Sequence, residues 1–330
     1  MTSRRISPLL NASPGLASDS FLLTAVSFEE RFIAGLTRLT ETKAISMVML
    51  VVFDVYFREP EEGSDDRDKD ARERFHENHK RGLQILVDRA IPYDEMRLTL
   101  DDLDTWTKLA QTLDVRTMVF DISTFPRSYI LTMLRFIPRK PQFLAYTKVG
   151  RHRYPEDAYA IGLKNVITLP GFEGAVGWRP TLLVISLGYE GARAYSLFKR
   201  YDPIRTLAIL GDPGEKDSAR NKILETAKKN NSTLLSTDSV YYASLPSYDP
   251  QAFCAQCEAL IERLRQSVER EQGIAPDIVL APVGTKMQAI GLYEVWNRHQ
   301  EYQMAYPIPM KRRRGTEEAG ETLFYSGPEQ

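Results

Sequence analysis

Two short segments hold the residues best suited to gripping an anion. Pro282-Val283-Gly284-Thr285-Lys286 sets a permissive glycine, a hydroxyl and a cation directly after an apolar run and before a helix-forming stretch. Backbone N–H groups, a hydroxyl donor and a compact ammonium are what a phosphate requires. The segment is not a Walker A loop, because the spaced glycine of that motif is missing. A related segment, Asp121-Ile122-Ser123-Thr124-Phe125-Pro126-Arg127, keeps the hydroxyls and supplies its cation about one helical turn later. An ordinary Ser/Thr helix cap is the alternative reading of both.

A second kind of segment follows two other apolar runs. Ser27 and Gly188 are small enough to let a ligand approach the backbone, and Glu29 and Glu190 stand two residues later. The glutamates could accept hydrogen bonds from ligand hydroxyls or base edges. Equally, each could sit in a first helical turn because the helix dipole favours an anion there. Gly211-Asp212-Pro213-Gly214 reads as a ligand-edge loop or as a plain turn.

Other chemistry is poorly supported. Cys254 and Cys257 have redox spacing but fall mid-helix, away from a helix N-terminus that would lower a thiol pKa. His76 and His79 could join them only formally as a zinc set, so no metal and no cofactor are expected. No nucleophile elbow and no Gly-x-Gly-x-x-Gly fingerprint occur. Nothing in the residue pattern demands catalysis.

The elements that must position these residues repeat. Leu22–Arg31 and Leu183–Arg193 each run from apolar strand to small residue, aromatic, glutamate and arginine, at an offset of about 160 residues. Val119–Arg127 matches Leu280–Gln288 at nearly the same offset, aligning Thr124 with Thr285. Pro141–Tyr146 answers Glu301–Tyr306. Three pairs in one register indicate a duplicated unit.

Between these anchors, strands are expected at Met47–Tyr56, Thr117–Phe120, Thr206–Leu210, Thr233–Leu235, Asp277–Ala281 and Met304–Tyr306. Helices are expected at Arg67–Val87, Asp101–Thr112, Lys216–Asn230 and Pro250–Gln272. Alternating strands and helices imply α/β architecture: two tandem Rossmann-like units with mainly parallel sheets, related by pseudo-two-fold symmetry. The expected boundaries are a tail over 1–20, a first unit over 21–153, a linker over 154–180, a second unit over 181–310 and a basic tail over 311–330. Phe172 and Trp178, in the linker, are expected to pack the halves together. The mixed-charge run Glu59–Arg81 reads as a solvated loop leading into a surface helix. Lys311-Arg312-Arg313-Arg314 reads as a solvated tail, or as a basic patch closing over a phosphate or touching nucleic acid.

Composition sets the outer bounds. At 330 residues, two domains are more natural than one core. A net charge of −1 gives no overall attraction to nucleic acid or membrane, so an anion site must be local. The apolar stretch Ala44–Phe57 is short and interrupted by Asp54, which favours a buried strand over a membrane span. Two cysteines and no secretory h-region point to the cytoplasm.

At Gly284-Thr285-Lys286 the chain resembles the CARF-type (CRISPR-associated Rossmann fold) sensor domains of prokaryotic defence. Many of those carry a Gly-Thr-Lys element after a late strand and a small-residue loop after the first. Thr285 and Lys286 match the later element, and Ser27 and Gly188 match the first loop. Phe125 replaces the lysine in the first half. The resemblance implies a nucleotide-like ligand bound in a cleft between two pseudo-symmetric units, and an effector protein as partner. A non-catalytic sensor or accessory protein is therefore expected, with Ser123, Thr124, Arg127, Gly284, Thr285 and Lys286 on phosphates. The alternatives are a nucleotide-processing hydrolase or phosphodiesterase, with Glu29, Glu190 or Asp121 as acid or base, and an interaction scaffold without ligand.

Overall fold

The computed structural model describes residues 19–53, 66–100, 102–112, 117–137, 141–152, 160–175, 177–212, 214, 218–312 and 317–328. The N-terminal tail to residue 18, the acidic core of the charged run, Pro213, Lys216 and Arg313-Arg314 lie outside them. The chain forms two compact units, one of residues 4–154 with 314–330 and the other centred on 155–313.

The first unit opens β1 (Ser20–Ala25), α1 (Glu30–Thr40), β2 (Ile45–Phe53), α2 (Asp66–Asp88) and β3 (Tyr93–Leu98). It continues α3 (Leu103–Thr112), β4 (Met118–Asp121), α4 (Arg127–Phe136) and β5 (Phe143–His152). The second unit begins β6 (Ala160–Ile161), β7 (Asn165–Thr168), β8 (Thr181–Ser186), α5 (Gly191–Tyr201) and β9 (Arg205–Asp212). It proceeds through α6 (Ser218–Asn230), α7 (Ser232–Leu235), β10 (Val240–Pro246), α8 (Pro250–Gln272), β11 (Asp277–Pro282) and α9 (Lys286–Arg298). It closes with β12 (Gln303–Ile308) and β13 (Lys311–Arg312), and β14 (Glu317–Ser326) follows.

The two six-stranded sheets have the same plan. Their orders are β3-β2-β1-β4-β5-β14 and β10-β9-β8-β11-β12-β7. In each, parallel pairs run from one edge through the central strand, and the last strand joins antiparallel. Strands covered on both faces should be apolar throughout. Accordingly Leu22, Val48, Leu50 and Val119 share one core with Phe32 and Leu36 of α1. Leu183, Ile185, Ala208 and Val279 share the other with Ala194 and Leu197 of α5. The chain is thus α/β, built of two Rossmann-like units. No helix among the described residues is long and apolar enough to cross a membrane.

Several boundaries differ from expectation. The segment expected as a basic tail contains β14, which pairs along β5 from Glu317↔His152 to Ser326↔Phe143. Its run Leu323-Phe324-Tyr325 is buried, and its polar residues are anchored. Lys148 Nζ on β5 donates to Glu321 at 2.6 Å, Thr147 and Thr322 hydroxyls meet at 2.9 Å, and Arg38 of α1 donates to Thr322 at 3.1 Å. The second unit is therefore inserted between two adjacent strands of the first. The expected linker likewise contains β7, paired with β12. Phe172 packs on Trp296 within the second unit, ring centroids 4.4 Å apart, whereas Trp178 is 84% exposed.

Thr233–Leu235, expected as a strand, is instead part of the helical turn α7, closed by the Leu235 N–H donating to Asn231 O at 3.0 Å. The third strand of that unit is β10. β3 shows no apolar run and β10 only a short one over 240–243, and each lies at a sheet edge with several exposed side chains. Truncating Phe324, a member of the first core, tests the insertion. Phe324→Ala should cost the first unit about 3–5 kcal/mol. Hydrogen exchange under denaturant should show β1–β5 opening earlier while β8–β12 keep their protection.

Candidate functional site

An open parallel sheet takes ligands beyond the carboxyl ends of its strands, where strand order reverses. In these sheets that place lies between β1 and β4, and between β8 and β11. The two repeated motifs meet there. β1 leads to Ser27 and β4 to Ser123-Thr124; β8 leads to Gly188 and β11 to Gly284-Thr285.

In the second unit the loops touch backbone to backbone. A Cβ on Gly188 would stand 2.8 Å from the Val283 carbonyl, and one on Gly284 would stand 3.1 Å from the Leu187 carbonyl. At Gly188 a side chain would collide with the Val283 carbonyl, and at Gly284 the Gln288 amide oxygen leaves no space for one. The Gly284 N–H donates to the buried Ser186 hydroxyl at 3.1 Å, tying β11's loop to β8.

Thr285 is the N-cap of α9 and forms a capping box with Gln288. The Gln288 N–H donates to Thr285 Oγ1 at 3.2 Å, and the Thr285 N–H donates to Gln288 Oε1 at 2.8 Å. This reciprocal cap fixes the amide's orientation. Its Nε2 then points toward Gly211, 3.2 Å from where a Cβ there would stand. Gln288 is 1% exposed, and Nε2 meets no hydrogen-bond acceptor among the described residues. A buried donor without an acceptor costs about 1–3 kcal/mol, so the amide is able to take one more acceptor. Lys286 is partly exposed at the first turn of α9.

Asn231 completes the lining. Its Nδ2 donates to the Gly188 carbonyl at 3.1 Å and to Ala227 O at 2.8 Å, leaving a buried Oδ1 with no donor among the described residues. The first unit repeats the contact, where Asn78 Nδ2 donates to the Ser27 carbonyl at 3.1 Å. Neither asparagine nor Gln288 stood out in the sequence. The Thr-x-x-Gln spacing of a capping box was the available signal for Gln288.

The glutamates occupy matching places but are engaged. Glu29 and Glu190 are the N-cap residues of α1 and α5, and neither side chain caps its helix. Glu29 is paired to buried Arg31, whose Nε donates at 2.8 Å, and Ser27 Oγ accepts the Glu29 N–H at 3.2 Å. Glu190 pairs with Arg193, both buried, and Arg193 also donates to Pro307 O at 3.3 Å. Asp212 is exposed, with its carboxylate accepting the Gly214 N–H at 2.8 Å in an Asx turn.

The first unit's crevice is filled from within. Asp121 has no exposed surface and accepts from Thr24 Oγ1 at 3.0 Å, the Ser123 N–H at 3.0 Å and the Ser123 hydroxyl. Ser123 Oγ accepts the Thr147 N–H at 2.7 Å, and the Thr124 hydroxyl donates to Ala25 O at 2.7 Å. Phe125, in the lysine's register, is buried against Phe120 at 4.8 Å and Phe53 at 5.3 Å. Arg127 begins α4, with a buried Nε lacking a partner among the described residues. The hydroxyls expected on phosphate are thus directed to a carboxylate and to backbone carbonyls.

The chain matches no family model and no curated relative.

A cavity of about 500 Å³ lies at the opposite end of the first sheet, lined by Thr40, Glu41, Lys43, Ser46, Arg89 and Pro92. Its arginine already donates to Thr37 O at 2.6 Å and pairs with Glu41 at 3.5 Å, which commits it within the chain. Among the described residues no cluster of His, Cys, Asp and Glu could hold a metal. The two thiols are buried in α8, and burial pushes Cys254 up to about 12 and Cys257 still higher. A thiol raised in the folded state keeps its proton after the unfolded chain has lost it. Their stabilising contribution should hold below pH 9 and fall between there and about pH 12. The native protein should react sluggishly with a thiol-directed disulfide reagent at pH 8, and readily once unfolded; fast native labelling would contradict the burial.

Proposed function

We propose that this chain is a non-catalytic sensor that binds a nucleotide-like anionic ligand at the β8/β11 crevice of its second unit. The observation that carries the reading is the Gln288 amide, locked by the Thr285 cap and left with a buried donor unmet among the described residues, in the helical turn that also carries Lys286. Backbone N–H groups at the start of α9, the donor of Gln288 and the ammonium of Lys286 together supply the groups that receive a phosphate. The unmet Asn231 Oδ1 offers an acceptor of the kind a hydroxyl or base edge would meet.

The first unit supports the fold without sharing the site, on this reading. A buried carboxylate at its crevice, Asp121, repels the anion that the second unit attracts. The chain then binds one ligand. Its general base and acid candidates are held in ion pairs or hydrogen bonds, which favours binding over turnover. The resemblance at Gly284-Thr285-Lys286 adds the biological setting, a cytoplasmic accessory protein of a prokaryotic defence system that passes its state to a protein effector. Two reduced, buried thiols accord with that compartment.

Calorimetric titration of the intact chain with AMP, ATP, cyclic diadenylate and pyrophosphate tests the proposal. One equivalent of at least one of these should bind, and chromatography should recover it unchanged. Lys286→Ala should weaken binding roughly tenfold or more, about 1.4 kcal/mol. Gln288→Glu keeps the oxygen that caps Thr285 but replaces the donor with an anion, so it should abolish binding without unfolding α9. Arg127→Ala should leave affinity unchanged. Binding of none of the probes, or binding indifferent to Lys286→Ala, would refute the reading, and steady degradation of a bound nucleotide would favour a hydrolase.

A further inference from the structure

β10 is an edge strand of the second sheet with no further strand paired to it among the described residues, and its backbone shows which groups it presents. The Thr206 N–H donates to Ser239 O at 2.9 Å and the Ser247 N–H donates to Asp212 O at 2.7 Å, so the odd-numbered residues of β10 face β9. By strand alternation, Val240, Tyr242, Ser244 and Pro246 direct their backbone groups outward. The Val240 N–H is already engaged by Thr237 O at 2.9 Å, and proline has none. Tyr242 and Ser244 therefore carry the outward N–H groups, flanked at both ends by positions that cannot extend the ladder.

The side chains leave this edge unprotected. Open edges are ordinarily blunted by charge. β3, which occupies the same place in the first sheet, exposes Asp94, Glu95 and Arg97. From Ser239 to Tyr248, by contrast, there is no charged residue. Tyr241 is 48% exposed and Tyr242 62%, on opposite faces of the strand.

We propose that β10 pairs antiparallel with β10 of a second copy about a two-fold axis at Ala243, continuing one sheet through two chains. In that register Tyr242 and Ser244 of each copy exchange N–H···O=C bonds with Ser244 and Tyr242 of the other. Ala243 faces its own copy in a non-hydrogen-bonded pair, where Cα atoms approach to about 4.5 Å and a small side chain is suited. Each tyrosine lies across from a smaller residue, Tyr242 from Ser244 and Tyr241 from Leu245. Because the strand is neutral, meeting itself brings no like charges together, and a two-fold contact must be self-complementary in this way. This association is independent of any ligand.

The ladder alone is a small interface, so the dimer should be reversible, with a dissociation constant on the order of micromolar. Sedimentation velocity of the intact chain over a concentration series should show monomer converting to dimer. Ser244→Pro removes an outward N–H and should keep the chain monomeric at every concentration. Glu95→Ala, on β3, should leave association unchanged. Ala243→Cys gives a second readout, since a Cα separation near 4.5 Å permits a disulfide. With oxidised glutathione it should become a covalent dimer, whereas Ser236→Cys should not. The native thiols are buried and should not interfere. A chain monomeric throughout, or a dimer untouched by Ser244→Pro and not captured by the thiol introduced at position 243, would overturn the proposal.

Discussion

In each sheet one strand has to serve two directions. β1 and β8 are hydrogen-bonded on one side to the strand that follows them and on the other to a strand reached by a long crossover. Right-handed crossovers then send the helices on those two sides to opposite faces. The loops after the central strand and after its crossover neighbour are brought together. Everything else about the crevices follows from that reversal, including the glycines where two backbones meet and the asparagine that holds the first loop's carbonyl in both units.

The same scaffold carries opposite electrostatics in its two occurrences. Where β4 ends in Asp121, β11 ends in Pro282, and Ser123 is answered by Gly284. A carboxylate and a hydroxyl can satisfy one another and the surrounding donors, which closes the first crevice with a network of its own. A proline and a glycine bring no side-chain acceptor, so the second crevice leaves the buried Gln288 donor unmet among the described residues. The aromatic at Phe125 completes the contrast, filling with ring packing the position that Lys286 fills with charge.

Much of this could be read before any coordinates. The fold class followed from apolar strands alternating with helices, and the pairing of Ser27 with Gly188 and Thr124 with Thr285 located both strand-end loops. β3 was hidden because it is half exposed and carries no apolar signature, as Tyr93–Leu98 shows. β14 was hidden by its neighbour, since the basic run before it drew attention from Leu323-Phe324-Tyr325. Side-chain roles were less legible still. A glutamate after a strand looks the same in sequence whether it meets a ligand or an arginine, and only spatial neighbours such as Arg193 separate the cases. Gln288 gained its significance from a cap that holds one side of its amide and leaves the other unmet.

The insertion of the second unit between β5 and β14 also sets a sequence of events during synthesis. The inserted unit has all its strands within one continuous stretch, so it can mature while still near the ribosome. The enclosing unit cannot, because its sixth strand is translated only after the whole insert. Until then the β5 edge is bare and Lys148 lacks its Glu321 partner, in a nascent sheet that depends on a contact of very long sequence separation. Slow closure and transient exposure of a strand edge are the conditions under which chaperones are recruited. The half that begins first is the half that finishes last.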